Sequence, residues 1–84
     1  MDKVFAIFDS KVELFDKPNL CKSRGEAMRM FKDLVNESGN VINKHPEDFT
    51  LFELGEYDSE KGKLIAHPTP VSCGVAIEYK EQSQ

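Results

Sequence analysis

Apolar and polar positions change period several times along this chain, and each change marks an element. KVFAIF, residues 3 to 8, is a compact run of strand formers ended by the turn-prone pair Asp9-Ser10. It predicts an inner strand buried on both faces. KVELF, 11 to 15, predicts a short return strand closing a first hairpin, and DKPNL, 16 to 20, a loop around Pro18 and Asn19.

The period then becomes helical. In SRGEAMRMFKDLVNESGN, Ser23 and Glu26 have the spacing of a capping box, in which hydroxyl and carboxylate satisfy orphan amides of a first turn. Ala27, Met30, Phe31, Leu34 and Val35 share one face, Arg29, Lys32 and Asp33 lie elsewhere, and Gly39 is a natural stop. The expected helix covers about 24–37. Val41 and Ile42 are expected to tuck beneath it, and Pro46 to start a single turn with Glu47 and Asp48 at its positive end.

FTLFELGEY is the next strand, DSEKG a hairpin loop with Gly62 in a left-handed position, and KLIAH the return strand. Pro68 and Pro70 interrupt pairing. VSCGVAIEY, 71 to 79, alternates strictly: Val71, Cys73, Val75, Ile77 and Tyr79 against Ser72, Gly74, Ala76 and Glu78. It predicts a last strand through Tyr79, with residues 79–84 ending as a frayed tail. Together these elements predict one α+β domain over 1–84, a single helix packed on a four- to five-stranded antiparallel sheet.

Size changes how that fold is expected to be used. With 84 residues and no Trp, the core is small, and six Phe and two Tyr supply most of its bulk. A deep catalytic cavity is not expected, and pairing with a second copy is an economical way to add buried surface. No apolar run approaches a membrane span of roughly 18 residues. The start, MDKVFAIFDS, is acidic at once and its apolar run is short, so a signal peptide is not expected there. Cys21 and Cys73 are therefore expected as reduced thiols in a cytoplasmic setting.

Charge is unevenly placed. The net charge is −4, yet residues 1–44 carry +1 and residues 45–84 carry −5. Within 17–32, Lys17, Lys22, Arg24, Arg29 and Lys32 face only Glu26. Such a stripe reads either as a solvated helix face or as a cradle for phosphates. Single-stranded nucleic acid is held by cations along its backbone and flat rings under its bases, and Phe8, Phe15 or Tyr79 are the rings nearest to hand.

Other chemistry is less well marked. Cys21, Cys73, His45 and His67 lack the close-set ligand pairs of a zinc site, so neither a metal nor a cofactor is expected. Glu47, Asp48, Glu53, Glu56, Asp58 and Glu60 flank strand ends and a hairpin tip, where carboxylates are solvated rather than converging in a cleft. No nucleophile has a partner base and no phosphate-binding glycine loop is present, so no enzymatic role is expected.

Three stretches carry a family resemblance: FDSKVE near the start, SRGEAMRMFKDLVN in the helix, and KHPEDFTLFELGEYDSEKGKL across the central strand and hairpin. Together with PVSCGVAIEY they resemble the small nonstructural protein of gokushovirus-type microviruses, over about residues 4 to 77. The resemblance implies a phage accessory factor in the host bacterial cytoplasm, often equated with the microvirus C protein, that serves replication and packaging of single-stranded DNA. It brings no catalytic residues.

The expected function follows from both lines. A homodimer binds single-stranded DNA weakly and without sequence preference, through Lys17, Lys22, Arg24, Arg29 and Lys32 with Phe15 stacking on bases. The alternative is a protein-interaction module. In that reading Glu47, Asp48, Glu56, Asp58 and Glu60, or an open sheet edge, dock a replication initiator or procapsid.

Overall fold

The computed structural model describes residues 1–81. Its sheet is built around β1 (Asp2–Asp9), which pairs antiparallel with β4 (Phe49–Asp58), and β4 in turn with β5 (Lys63–Val75). On the far side of β1 two short strands lie end to end: β2 (Leu14–Phe15) opposite Phe8 and Asp9, and β3 (Asn19–Cys21) opposite Lys3 to Phe5. The expected α+β fold is borne out, with α1 (Arg24–Asn36) as its main helix and a one-turn α2 (Val41–Lys44) beside it. No helix among the described residues is long and apolar enough to cross a membrane.

Local chemistry sets α1. Ser23 Oγ accepts from the Glu26 amide at 3.1 Å, and Glu26 Oε1 accepts from the Lys22 amide at 2.8 Å, so the reciprocal cap reaches one residue further upstream than expected. Ala27, Phe31 and Val35 are buried. They meet Phe5, Cys21, Phe49 and Leu51 of the sheet, Ile42 of α2, and Ala76. Met30 was expected on this face but sits at its margin, 54% exposed, and Val41 points to solvent while Ile42 alone tucks under.

The first hairpin is tighter than its sequence suggests. Asp9 Oδ1 accepts from the Lys11 amide and Glu13 adopts φ 62°, so a turn consumes residues 10–13 and leaves only Leu14–Phe15 as strand. Asn19 and Leu20, expected in a loop, return to β1 instead. Asp16 bridges the gap between the two short strands: its side chain accepts from the Ile7 amide at 2.7 Å, and its own amide donates to the Ile7 carbonyl at 2.9 Å.

β5 is one strand where two were expected, and its register against β4 shifts between Glu53 and Gly55, where Pro68 and Pro70 fall in the extra chain. Gly55 is obligatory there. The Ile65 carbonyl oxygen occupies the place a Cβ would take, and Ala66 Cα would lie 2.9 Å from it. The alternation read through Tyr79 stops at Val75, and residues 76–79 form a 3-10 turn. Gly74 turns the chain at φ 114°, a left-handed conformation, and the Glu78 carboxylate then accepts from the Val75 amide. The turn buries Ala76 and exposes Ile77, the reverse of the predicted faces.

Tyr79, Lys80 and Glu81, expected in a frayed tail, are tied down. Asn36 Nδ2 donates to the Tyr79 carbonyl at 3.0 Å, Lys80 Nζ to the Asn43 carbonyl at 3.0 Å, and the Glu81 amide to Asn36 Oδ1 at 2.8 Å. Residues 82–84 of that expectation lie outside the described residues.

Candidate nucleic-acid interface

Strand alternation divides the aromatics between two faces of the sheet. Phe5 and Phe49 join the helix side, and Phe8, Phe52 and Phe15 take the other. Phe8 and Phe15 are cross-strand partners with ring centroids 4.8 Å apart. Phe52 meets Phe15 at 5.5 Å and Phe8 at 6.3 Å, both edge to face. Such contacts satisfy the ring quadrupoles and hold the trio as one unit. Phe15 is 43% exposed, so part of a ring surface stays open to solvent. Tyr79 is not available: its ring packs edge-on against Phe31 at 5.0 Å and its hydroxyl donates to the Cys73 carbonyl.

The cationic stripe is only partly assembled. Arg24 Nε and Nη2 donate to Glu53 Oε1 at 3.2 and 3.1 Å, and Lys32 Nζ lies 3.7 Å from Glu81 Oε2. Among the described residues Lys17, Lys22 and Arg29 enter no ion pair. Lys17 sits in the connection between β2 and β3, two residues from Phe15. Arg29 and Lys32 are on the outer side of α1, so the sheet separates them from the aromatic trio. The five cations and Phe15 do not form one surface.

Glu53 is the residue whose role the sequence reading missed. It is 3% exposed, on the same inward row of β4 as Phe49 and Leu51. Its carboxylate gathers three cationic or polar groups: Arg24, His67 Nε2 at 2.6 Å, and Lys3 Nζ at 3.8 Å. Burial pushes its pKa up. Hydrogen bonds from His67 and Arg24 and the charges of Lys3 and Arg24 outweigh that push and hold it below the ordinary carboxylate value. The available signal was parity: in FTLFELG, positions 49, 51, 53 and 55 share one face. With its lone pairs engaged, this carboxylate acts as a clasp between α1, β1, β4 and β5.

The family described as Phage ORF5 protein matches residues 2–79, nearly the whole chain. The chain belongs to that family. It is 30% identical over 77 residues to Protein ORF5 of Chlamydia phage 1, covering 84% of this chain and 74% of the relative. The gokushovirus-type resemblance read from the motifs is thus borne out. No solved structure matches. The ORF5 match takes in both the Glu53 clasp and the aromatic face.

The remaining candidates of this ORF5 chain are dispersed. Glu56 lies 3.8 Å from Lys3, and Asp58 Oδ1 caps the hairpin turn by accepting from the Glu60 and Lys61 amides. Glu60 is exposed at that tip, and Glu47 and Asp48 stand on a 3-10 turn, Pro46–Asp48, before β4. The docking set therefore has two locations. Cys21, Cys73, His45 and His67 do not meet: Cys21 is in the core, His67 is on Glu53, and His45 stands with Glu47 and Asp48, their ligand atoms within 4.8 Å of one another on an exposed turn. Burial pushes both thiols up in pKa, so neither is an activated nucleophile.

Proposed function

We propose that this phage protein is a non-enzymatic accessory factor that holds single-stranded DNA across the helix-free face of its sheet. The observation that carries the reading is the Phe8–Phe15–Phe52 cluster on strands β1, β2 and β4, with Phe15 partly open. Rings on an antiparallel sheet stack on bases whatever their sequence, which suits weak, unselective binding. Lys17 and Lys22 border the same sheet edge and serve the phosphates. Arg24 and Lys32, engaged by Glu53 and Glu81, contribute less than their charge suggests.

The working form in this proposal is a homodimer in the host cytoplasm that serves replication or packaging of viral single strands. β5 supports it: the strand is at the sheet edge, and Leu64 and Ile65 are exposed on a stretch free of proline. Two-fold pairing of Lys63–Ala66 with a second copy covers them and doubles the aromatic face, so that linked weak sites gain avidity.

Titration of fluorescent single-stranded DNA with salt tests the proposal. Affinity should fall as salt rises, with a log–log slope of about −2 for roughly three phosphates neutralised. Phe15→Ala should weaken binding by about fivefold or more, the loss of one stacked base. Lys17→Gln should flatten the salt dependence. Binding that is negligible at low salt, or indifferent to Phe15, overturns the reading.

A further inference from the structure

The helix does not cover the whole inner face of the sheet. Between α1 and the β1–β3 edge lies an open cavity of about 590 Å³, walled by Met30 and Leu34 on one side and Phe5 and Ile7 on the other. Cys21 lies at its floor, with Sγ 3.9 Å from Met30 Sδ. That volume is in the range that binds ligands or side-chain clusters. Its rim is acidic: Asp33 in the last turn of α1 and Glu37 at the helix's C-cap are both exposed and form no ion pair among the described residues.

We infer that this groove receives an apolar segment of a partner protein flanked by lysine or arginine, bulky side chains against Met30 and Leu34 and cations on Asp33 and Glu37. Charge complementarity selects this occupant. A second copy presenting the same groove brings acid against acid, and an anionic strand of nucleic acid meets the same repulsion. Methionine suits the wall because its unbranched, polarizable side chain adapts to different apolar partners. The surface is on the opposite face of the sheet from the aromatic trio, so it stands apart from the DNA proposal.

Selection from a library of random short peptides on the full chain, followed by titration of the enriched peptides, tests the inference. The enriched sequences should combine bulky apolar residues with flanking Lys or Arg. They should shift the Met30 methyl resonance saturably and leave Met1 in place. The double variant Asp33→Lys/Glu37→Lys should weaken them by about tenfold, whereas Glu47→Lys/Glu60→Lys, with the same change in net charge outside the groove, should stay within about twofold. Failure to enrich any peptide, enrichment of peptides without cations, an unmoved Met30 methyl, or equal weakening by both double variants would each overturn it.

Discussion

His67 Nε2 lies 2.6 Å from the Glu53 carboxylate, so the edge strand of the sheet is fastened to a charge buried in its interior. His67 follows Ala66 into the segment where β5 shifts register, and the contact fixes where the irregular strand returns to β4. Removing the charge therefore reaches beyond one pair. Glu53→Ala should destabilise the fold by about 3 kcal/mol, since Lys3, Arg24 and His67 all lose the buried carboxylate that joins them and its side chain leaves a void in the core. Arg24→Ala, at a half-exposed side chain, should cost about 1 kcal/mol. Urea unfolding of both variants checks the order; a larger loss for Arg24 than for Glu53 would contradict it.

The same carboxylate makes stability depend on pH. Its folded-state pKa lies below the ordinary value, so in acid the unfolded chain binds a proton there before the folded one does. The contribution is complete above the ordinary carboxylate range and is lost as pH falls through the lower folded-state value. Wild-type unfolding free energy should fall on acidification over that window, and Glu53→Gln should remove that part of the slope.

Gly55→Ala should be far more harmful than its size suggests. The new methyl collides with the Ile65 backbone carbonyl, which cannot rotate aside, and separating β4 from β5 should cost about 2 kcal/mol or more. Gly25→Ala on α1 is the comparison: its nearest neighbour, Ser23 Oγ at 3.8 Å, is an ordinary contact, so helix propensity should make it neutral or slightly stabilising. Thermal melts of the two variants separate a steric requirement from mere flexibility.

Tyr79→Phe keeps the ring on Phe31 and deletes only the hydroxyl that reaches the Cys73 carbonyl. The expected cost is about 1 kcal/mol, the net value of one such bond. Faster amide exchange at Val75 and Lys80 should accompany it, because this turn holds residues 79–81 against α1 and α2.

Leu64→Lys should leave the fold intact, since that side chain is 75% exposed in the single chain, yet place like charges on the proposed two-fold edge. Mass measured in solution should then fall from dimer to monomer. A wild-type chain that is already monomeric at high concentration refutes the dimer and spares the aromatic face.

Much of this fold was legible. The capping residues Ser23 and Glu26, the spacing of Ala27, Phe31 and Val35, and the compact run of β1 each follow from short-range rules. The misreadings came where distant contacts overrule a local period. VSCGVAIEY alternates as a strand, yet Gly74 and the Tyr79 hydroxyl bend it into a turn that buries Ala76 under α1. The cationic stripe was visible as charge, but its division was not. Arg24 finds Glu53 across 29 residues of sequence and Lys32 finds the far end of the chain, partners that no window around the helix contains.

β1 also sets the order in which the molecule can be made. It leaves the ribosome ahead of the other strands of this sheet, and its full-length neighbour is β4, pairing Asp2 with Tyr57 and Asp9 with Phe49. Until β4 has been synthesised, only β2 and β3 are there to meet it. Closing that distant seam, rather than forming the helix, should be the slow step, because entropy is spent on bringing the ends together before the contact returns anything.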